Sequence, residues 1–241
     1  MKYIFSTFLL LVCLTSIKAS HVPGGNITYE CIGPNTYVVT LTVFEDCGTA
    51  FIGNMPESIS VTNTCGLTFS TNISLPIVTY QQEISQLCLP MLGQSECNGG
   101  GFPGVYMHIW RDTITLPGPC DSWIFSYDDC CRNASQNLVG TGNDYYFETV
   151  LNSNTASCNS SPIITASPIP YNCLNQPVVY NFGVYEPDGD SLVYSLVSAL
   201  DDPGIPVPYQ GGYSGASPIN GININPNTGE ITFTPTIQGN F

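Results

Sequence analysis

Residues 119–133 read PCDSWIFSYDDCCRN and decide the fold of this chain. Trp123, Phe125 and Tyr127 stand at every second position, which is the period at which side chains reach one face of a β-strand. Large aromatic side chains on one face are typical of a strand that packs into a core. The segment therefore predicts a strand at the centre of a β protein.

Cysteines close this strand at both ends, and two of them, Cys130 and Cys131, are neighbours. A disulfide between neighbours is expected to be strained, because bonded cysteines usually have Cα atoms about 4.4–6.8 Å apart. We therefore predict that each of the two bonds to a different partner, which would tie the strand to two other parts of the fold.

Residues 1–19 read as a secretory signal peptide. Lys2 gives the positive start, Ile4 to Leu14 the apolar run, and Ala19 a small residue for cleavage before Ser20. The apolar run is too short to span a bilayer. The sequence thus predicts an exported chain that is secreted or held at the cell surface.

Ten of the 11 cysteines lie outside the signal peptide. An even number of cysteines in an exported chain predicts disulfides, up to five of them. The spacings contain no CxxC pair and place no histidine close to a cysteine pair, which disfavours zinc. The candidate disulfide cysteines are Cys31, Cys47, Cys65, Cys88, Cys97, Cys120, Cys130, Cys131, Cys158 and Cys173.

Spacing does not fix the connectivity of these cysteines, but it favours two pairs. Cys88 and Cys97 are close in sequence and are expected to clip the loop between them, for about 2–3 kcal/mol. Cys158 and Cys173 flank a proline-bearing segment, residues 160–170, and are placed to pair across it.

Short alternating runs, separated by 19 prolines and 23 glycines, fill the rest of the chain, and no window shows helical periodicity over three turns. We predict an all-β fold of two antiparallel β-sandwich modules. Residues 20–160 form a disulfide-rich module, and residues 161–241 a cadherin-like or immunoglobulin-like one. The second has about four strands where such a sandwich needs about seven, so we expect it to be truncated and the chain to continue beyond Phe241.

The charge of the chain is strongly acidic. Outside the signal peptide, Arg111 and Arg132 face 18 acidic residues, and there is no lysine. Without a basic patch the chain is not suited to bind nucleic acid or an anionic membrane. Each arginine is expected to form an ion pair with one of the many carboxylates.

The turn at residues 186–192 is the best candidate for a metal site. Glu186, Asp188 and Asp190 stand at every second position of a turn shaped by proline and glycine, where their oxygens could converge on calcium. Asp201 and Asp202 would complete the shell from a neighbouring loop. The alternative is a solvated acidic turn that binds nothing.

The sequence carries no recognised catalytic motif of the hydrolase, metalloprotease or nucleotide-binding kind. Neither His21 nor His108 has a nucleophile at a suggestive spacing. We therefore predict that the chain is not an enzyme. Tyr106 and Trp110 are the best candidates for aromatic rings that stack on sugars, and burial against a second sheet is the alternative.

Several segments together resemble the start of large exported proteins of Bacteroidota, often described as gliding-motility-associated or PKD-domain proteins. The similar segments in the first module are residues 20–31, 37–47 and 119–133. In the second module, residues 186–192 and 225–235 resemble the acidic turn and late hairpin of cadherin-like or immunoglobulin-like repeats.

The resemblance implies a non-enzymatic module of a secreted or cell-surface multidomain protein that acts in adhesion or surface motility. It also implies calcium at Glu186, Asp188 and Asp190, and an unknown protein or glycan ligand at the surface. The alternative function is a secreted carbohydrate-binding module that uses exposed aromatic residues.

Overall fold

The computed structural model describes residues 22–48, 52–140, 143–156, 158–167 and 171–241. The predicted signal peptide and His21 lie outside these residues. None of the helical segments within the described residues is long and apolar enough to cross a membrane.

The described residues contain fifteen strands and two short 3₁₀ segments. The 3₁₀ segments, Leu89–Gln94 and Glu96–Asn98, follow the fifth strand. The strands are β1 (Gly24–Gly33), β2 (Thr36–Asp46), β3 (Glu57–Asn63), β4 (Asn72–Leu75), β5 (Ile77–Glu83), β6 (Val105–Thr115), β7 (Trp123–Asp129), β8 (Tyr145–Leu151), β9 (Ile163–Ile164), β10 (Val178–Tyr180), β11 (Val184–Tyr185), β12 (Leu200–Asp202), β13 (Ile205–Pro206), β14 (Asn223–Ile224) and β15 (Ile231–Phe233).

The first large sheet has four antiparallel strands in the order β1-β2-β6-β5. A turn at Asn35, whose φ of 51° lies in the left-handed region, joins β1 to β2. Every second side chain of β2 is buried, as the alternation of its sequence predicts. The buried side chains of this face are Tyr37, Val39, Leu41, Val43 and Glu45, and Phe44 is buried as well.

The second large sheet has six antiparallel strands in the order β13-β12-β8-β7-β3-β4. The aromatic strand β7 lies inside it, between β8 and β3. Trp123 and Phe125 are completely buried, and Tyr127 is 5% exposed. The predicted central strand is therefore confirmed, with its aromatic face in the core.

The two large sheets pack face to face around one core. The ring of Tyr29 in β1 lies 5.8 Å from that of Phe125, and its hydroxyl donates to the Val150 carbonyl of β8 at 3.1 Å. Such aromatic pairs contribute about 0.5–1.5 kcal/mol beyond the area they bury. The core also holds side chains of β3 and β6, so all the long strands contribute to it. The predicted all-β sandwich class is confirmed.

Residues beyond 160 form much shorter strands. A three-stranded sheet has the order β10-β15-β14, and a two-stranded sheet pairs β11 with β9. Strands β12 and β13 instead extend the six-stranded sheet, where Leu200 lies opposite Tyr146. The division into modules near residue 160 stays a prediction, and residues 200–206 join the sheet of the first predicted module.

Three disulfides join distant segments of the large sandwich. They are Cys31–Cys158, Cys47–Cys97 and Cys65–Cys120, with sequence separations of 127, 50 and 55 residues. Each connects the end of a strand to a loop of another part of the sandwich. The disulfide character predicted from the cysteine count is confirmed for these pairs.

The pairings expected from sequence spacing were wrong. Cys97 bonds to Cys47 and Cys158 bonds to Cys31, so Cys88 and Cys173 keep free, exposed thiols. The reason is that the long hairpins bring together residues far apart in sequence, which spacing along the chain does not reveal.

The prediction that Cys130 and Cys131 bond to different partners was also wrong. The two are bonded to each other, across a cis peptide that brings their Cα atoms to 3.1 Å. The prediction relied on the usual range of Cα separations and did not consider a cis peptide between the two neighbours.

Candidate functional site

The acidic turn follows β11 and lies where the large sandwich meets the chain beyond residue 160. Gly189 has a φ of +83°, which permits the reversal at its tip. The Glu186 carboxylate accepts a hydrogen bond from the Asp190 backbone N–H at 2.7 Å and closes the turn on itself. Asp188 and Asp190 are exposed, while Glu186 is half-buried.

The two aspartates of the turn bind the segment that leaves the sandwich. The Asp188 carboxylate accepts a hydrogen bond from the Ser160 backbone N–H at 2.6 Å. The Asp190 carboxylate accepts one from the Asn159 side-chain amide at 2.7 Å. Hydrogen bonds to a charged acceptor are stronger than neutral ones, so these two bonds hold the turn against residues 159–160.

The same segment is fastened to β1 on its other side. Ser161 exchanges two hydrogen bonds with the Tyr29 backbone at 2.8 Å, one of them through its side-chain oxygen, and the Ser160 hydroxyl accepts one from the Cys31 N–H at 3.2 Å. Next to it lies the Cys31–Cys158 disulfide. Residues 158–161 thus form a joint, held by a covalent bond and by hydrogen bonds, between β1 and the acidic turn.

The joint also affects a buried tyrosine. Burial, and after it the nearby Tyr37 and the Asp188 carboxylate, raises the pKa of Tyr29 to about 12. The cause is that a phenolate would be desolvated among core side chains and repelled by the carboxylate. Tyr29 is therefore neutral at physiological pH.

The carboxylates predicted to form a calcium shell belong to two different parts of the fold. Asp201 and Asp202, predicted to complete the shell, belong to β12 and lie with Asp144, whose pKa burial and these carboxylates raise. In the described part of the chain no group of three or more His, Cys, Asp or Glu side chains is placed to hold a metal ion. Calcium at Glu186, Asp188 and Asp190 stays a prediction.

An apolar groove of about 290 Å³ runs beside the acidic turn. Its walls come from β1, from the short sheet β11-β9 and from residues 192–194. Apolar side chains such as Ile27, Ile164 and Leu192 line it, with the Asn26 and Thr28 residues at one edge. Two of its lining residues, Val184 and Leu192, lie on either side of the acidic turn in the sequence.

A buried acid and base in the first sheet were missed by the sequence analysis. Glu45 of β2 and His108 of β6 lie 2.6 Å apart, with their side chains 2% and 0% exposed. The His108 ring stacks on Trp110, and Tyr80 packs edge-on against it. Strand parity could have found the pair, because Glu45 continues the alternation of the buried face of β2.

The aromatic pair predicted to bind sugars does not form a binding face. Trp110 is completely buried, and its indole N–H donates to the Met55 carbonyl at 2.8 Å. Tyr106 is half-buried, and its hydroxyl donates to the Cys97 carbonyl at 2.9 Å. The alternative of burial against other parts of the sandwich describes both residues.

The two arginines make hydrogen bonds rather than the ion pairs that were expected. Arg111 donates to the Thr40 hydroxyl at 3.0 Å on the surface of the first sheet. Arg132 is half-buried and donates to the Leu200 carbonyl of β12 at 3.1 Å. Among the described residues, one basic side chain lies within 4.0 Å of a carboxylate. It is His108, which contacts Glu45.

No family model, curated protein or solved structure matches this chain.

Proposed function

We propose that this chain is a non-enzymatic module of a secreted or cell-surface multidomain protein that acts in adhesion or surface motility. The observation that carries the proposal is the set of three long-range disulfides around the two-sheet core. Disulfides persist in oxidising compartments, outside the cytoplasm. Four disulfides and a β-sandwich are consistent with an extracellular protein, and the specific role rests on the sequence resemblance.

The distribution of charge supports a role outside the cell. Eighteen acidic residues keep the surface negative, and both arginines outside the predicted signal peptide are occupied by hydrogen bonds. A negative surface favours solubility and does not favour contact with nucleic acid. The proposed partner, a protein or glycan at a surface, rests on the sequence resemblance.

The buried acid and base support a structural rather than a catalytic role. A general base must come within hydrogen-bond reach of a substrate proton. Glu45 and His108 are 2% and 0% exposed, so a substrate does not reach them without opening the sheet. The pair links the neighbouring strands β2 and β6 within the first sheet.

Export is tested by expressing the full chain with its first 19 residues in a Gram-negative host and sequencing the N-terminus of the product. We expect product outside the cytoplasm that begins near Ser20 and carries disulfides. Reduced, uncleaved product in the cytoplasm would contradict the proposal.

Adhesion is tested with beads coated with the purified oxidised chain. We expect the beads to retain cells or surface glycoproteins, and beads coated with reduced and alkylated chain to lose this retention. A glycan array separates the alternative, because strong binding to defined sugars with no retention by protein surfaces would favour a carbohydrate-binding module. Beads that retain nothing would contradict the adhesive role.

A further inference from the structure

Two thiols remain after the disulfides of the described residues are assigned. Cys88 precedes the first 3₁₀ segment, and Cys173 lies ahead of β10, and both are exposed. The other eight described cysteines are all bonded. In an exported chain with an even number of cysteines, two exposed free thiols are the exception that needs a reason.

The segments that carry the two thiols touch each other. The Tyr171 backbone N–H donates to the side-chain carbonyl of Gln86 at 3.3 Å. Cys88 lies two residues after Gln86, and Cys173 lies two residues after Tyr171. Each cysteine is therefore two residues, or at most about 7 Å of extended chain, from a residue of this contact.

A second observation places Tyr171 close to the loop of residues 84–98. Burial, and after it the Asp46 and Glu96 carboxylates, raises the pKa of Tyr171. Asp46 and Glu96 directly precede Cys47 and Cys97, which bond to each other. The segment that begins at Tyr171 therefore lies against the disulfide-bonded loop of the sandwich.

Neither thiol is fixed by core packing. Cys88 and Cys173 are both exposed, and the first 3₁₀ segment buries no side chain. A disulfide needs Cα atoms about 4.4–6.8 Å apart, and exposed segments can reach this separation without opening the core. The Asn175 N–H donates to the Pro235 carbonyl at 2.7 Å, so this segment is already attached to the small sheet of β10, β15 and β14.

We propose that Cys88 and Cys173 form a fifth disulfide in the exported protein. The bond joins the loop of residues 84–98 to the segment that enters the small three-stranded sheet. It connects the large sandwich covalently to the chain beyond residue 160, whereas Cys31–Cys158 ends just before that boundary. The proposal does not depend on the adhesive function.

The bond forms by thiol–disulfide exchange with an external disulfide as oxidant, either a small disulfide or an oxidoreductase. The thiolate of one cysteine attacks a sulfur of the oxidant, forms a mixed disulfide and releases the first thiolate of the oxidant. The other cysteine thiolate then attacks the mixed disulfide and releases the second. Two cysteine thiols are oxidised, the external disulfide is reduced to two thiols, and the two protons pass from the cysteines to the released thiolates.

Cleavage after glutamate makes this bond visible by mass spectrometry. Cleavage after Glu83 and Glu96 releases residues 84–96, which contain Cys88 as their single cysteine. Cleavage after Glu148 releases residues 149–230, which contain Cys158 and Cys173, because Pro187 protects the bond after Glu186. The full chain is oxidised with glutathione disulfide, its remaining thiols are blocked with N-ethylmaleimide in denaturant, and it is cleaved without reduction.

We expect residues 31–45, 84–96 and 149–230 in one disulfide-linked cluster that carries no maleimide. Residues 84–96 released alone, with maleimide on Cys88 and a second maleimide on Cys173, would overturn the proposal. A covalent dimer that disappears on reduction would overturn it as well, since the thiols would then pair between molecules.

Two exposed-site variants give the matched control. In Cys88→Ser we expect one maleimide or one glutathione on Cys173, and in Cys173→Ser the same on Cys88, each gained from about zero in the unaltered chain. If either variant leaves the remaining cysteine with neither adduct, that cysteine is bonded to another cysteine and the proposal fails.

Discussion

The large sandwich and the chain beyond residue 160 are both β, but they are stabilised differently. Strands of the sandwich reach 11 residues, and its 19-member core cluster ends at Leu151. Beyond residue 160 the described strands have two or three residues, and the buried hydrophobic side chains there are Val207 and Ile231. The first region is held by apolar burial, and the second depends on its attachments to the first.

Removing a core side chain tests most directly whether the two regions are stabilised differently. Replacing Trp123 by alanine is expected to lower the free energy of unfolding by about 3–5 kcal/mol, because it removes a fully buried indole and leaves a cavity. Denaturant unfolding followed by circular dichroism measures the loss. Tyr185→Ala, at a side chain 57% exposed in the second region, is the matched control and should change stability by less than about 0.5 kcal/mol. Similar losses in the two variants would remove the contrast.

The disulfide at the joint is expected to have the next largest effect. Replacing both Cys31 and Cys158 by serine should cost about 2–4 kcal/mol, because the bond closes the longest loop in the chain. The control is the same double replacement of Cys65 and Cys120, whose separation of 55 residues predicts a smaller loss. A larger loss in the control would show that loop length does not set the stabilisation.

Alkaline pH should weaken the sandwich through Tyr29. Its pKa is raised to about 12 in the folded chain, above the value of about 10 in an unfolded one. The unfolded chain therefore loses this proton first, and stability that is fully present below pH 10 falls between about pH 10 and 12, by about 3 kcal/mol. Unfolding at several pH values measures the slope. Tyr29→Phe should have a shallower slope over that window, and an unchanged slope would exclude this origin.

The hydrogen bonds of the acidic turn should have a local effect. Asp188→Asn weakens the acceptor of the Ser160 N–H, so hydrogen exchange at Ser160 should accelerate by about fivefold, equivalent to about 1 kcal/mol. Asp121→Asn is the control, because Asp121 accepts from Asn154 inside the first region. Faster exchange at Ser160 in the control would mean that the joint responds to charge rather than to this hydrogen bond.

Calcium is expected to have the smallest effect. Asp188 and Asp190 are exposed and already accept hydrogen bonds from residues 159–160, so millimolar calcium should raise the melting temperature by less than about 2 °C. Differential scanning calorimetry measures the shift. A larger rise that disappears in the triple variant Glu186→Gln, Asp188→Asn, Asp190→Asn would instead establish a calcium site at the joint.

The long strands of the first region could be predicted because their side chains alternate. In β2 and in the aromatic row of β7, large apolar side chains stand at every second position. A strand places such side chains on one face, where they can be buried together. Residues 192–197 also alternate, but the structure forms no strand there. Alternation reports where side chains point and does not supply a neighbouring strand.

The site was harder to predict than the fold. Each carboxylate of the acidic turn was identified, but its partners at residues 159–160 depend on how two segments pack. Glu45 and His108 look like isolated polar residues until the pairing of β2 with β6 sets them 2.6 Å apart. The prediction of cysteine pairs failed for the same reason, because Cys31 and Cys158 are close in space but 127 residues apart in sequence.

The positions of the basic residues relative to the disulfides have a consequence for proteolysis. A protease that cuts after basic residues finds two bonds in residues 22–241, after Arg111 and after Arg132. Cys31–Cys158 spans both of them, and Cys65–Cys120 holds the fragment between them to the N-terminal one. A chain nicked at both positions therefore stays one covalent molecule, with its strands still able to pair.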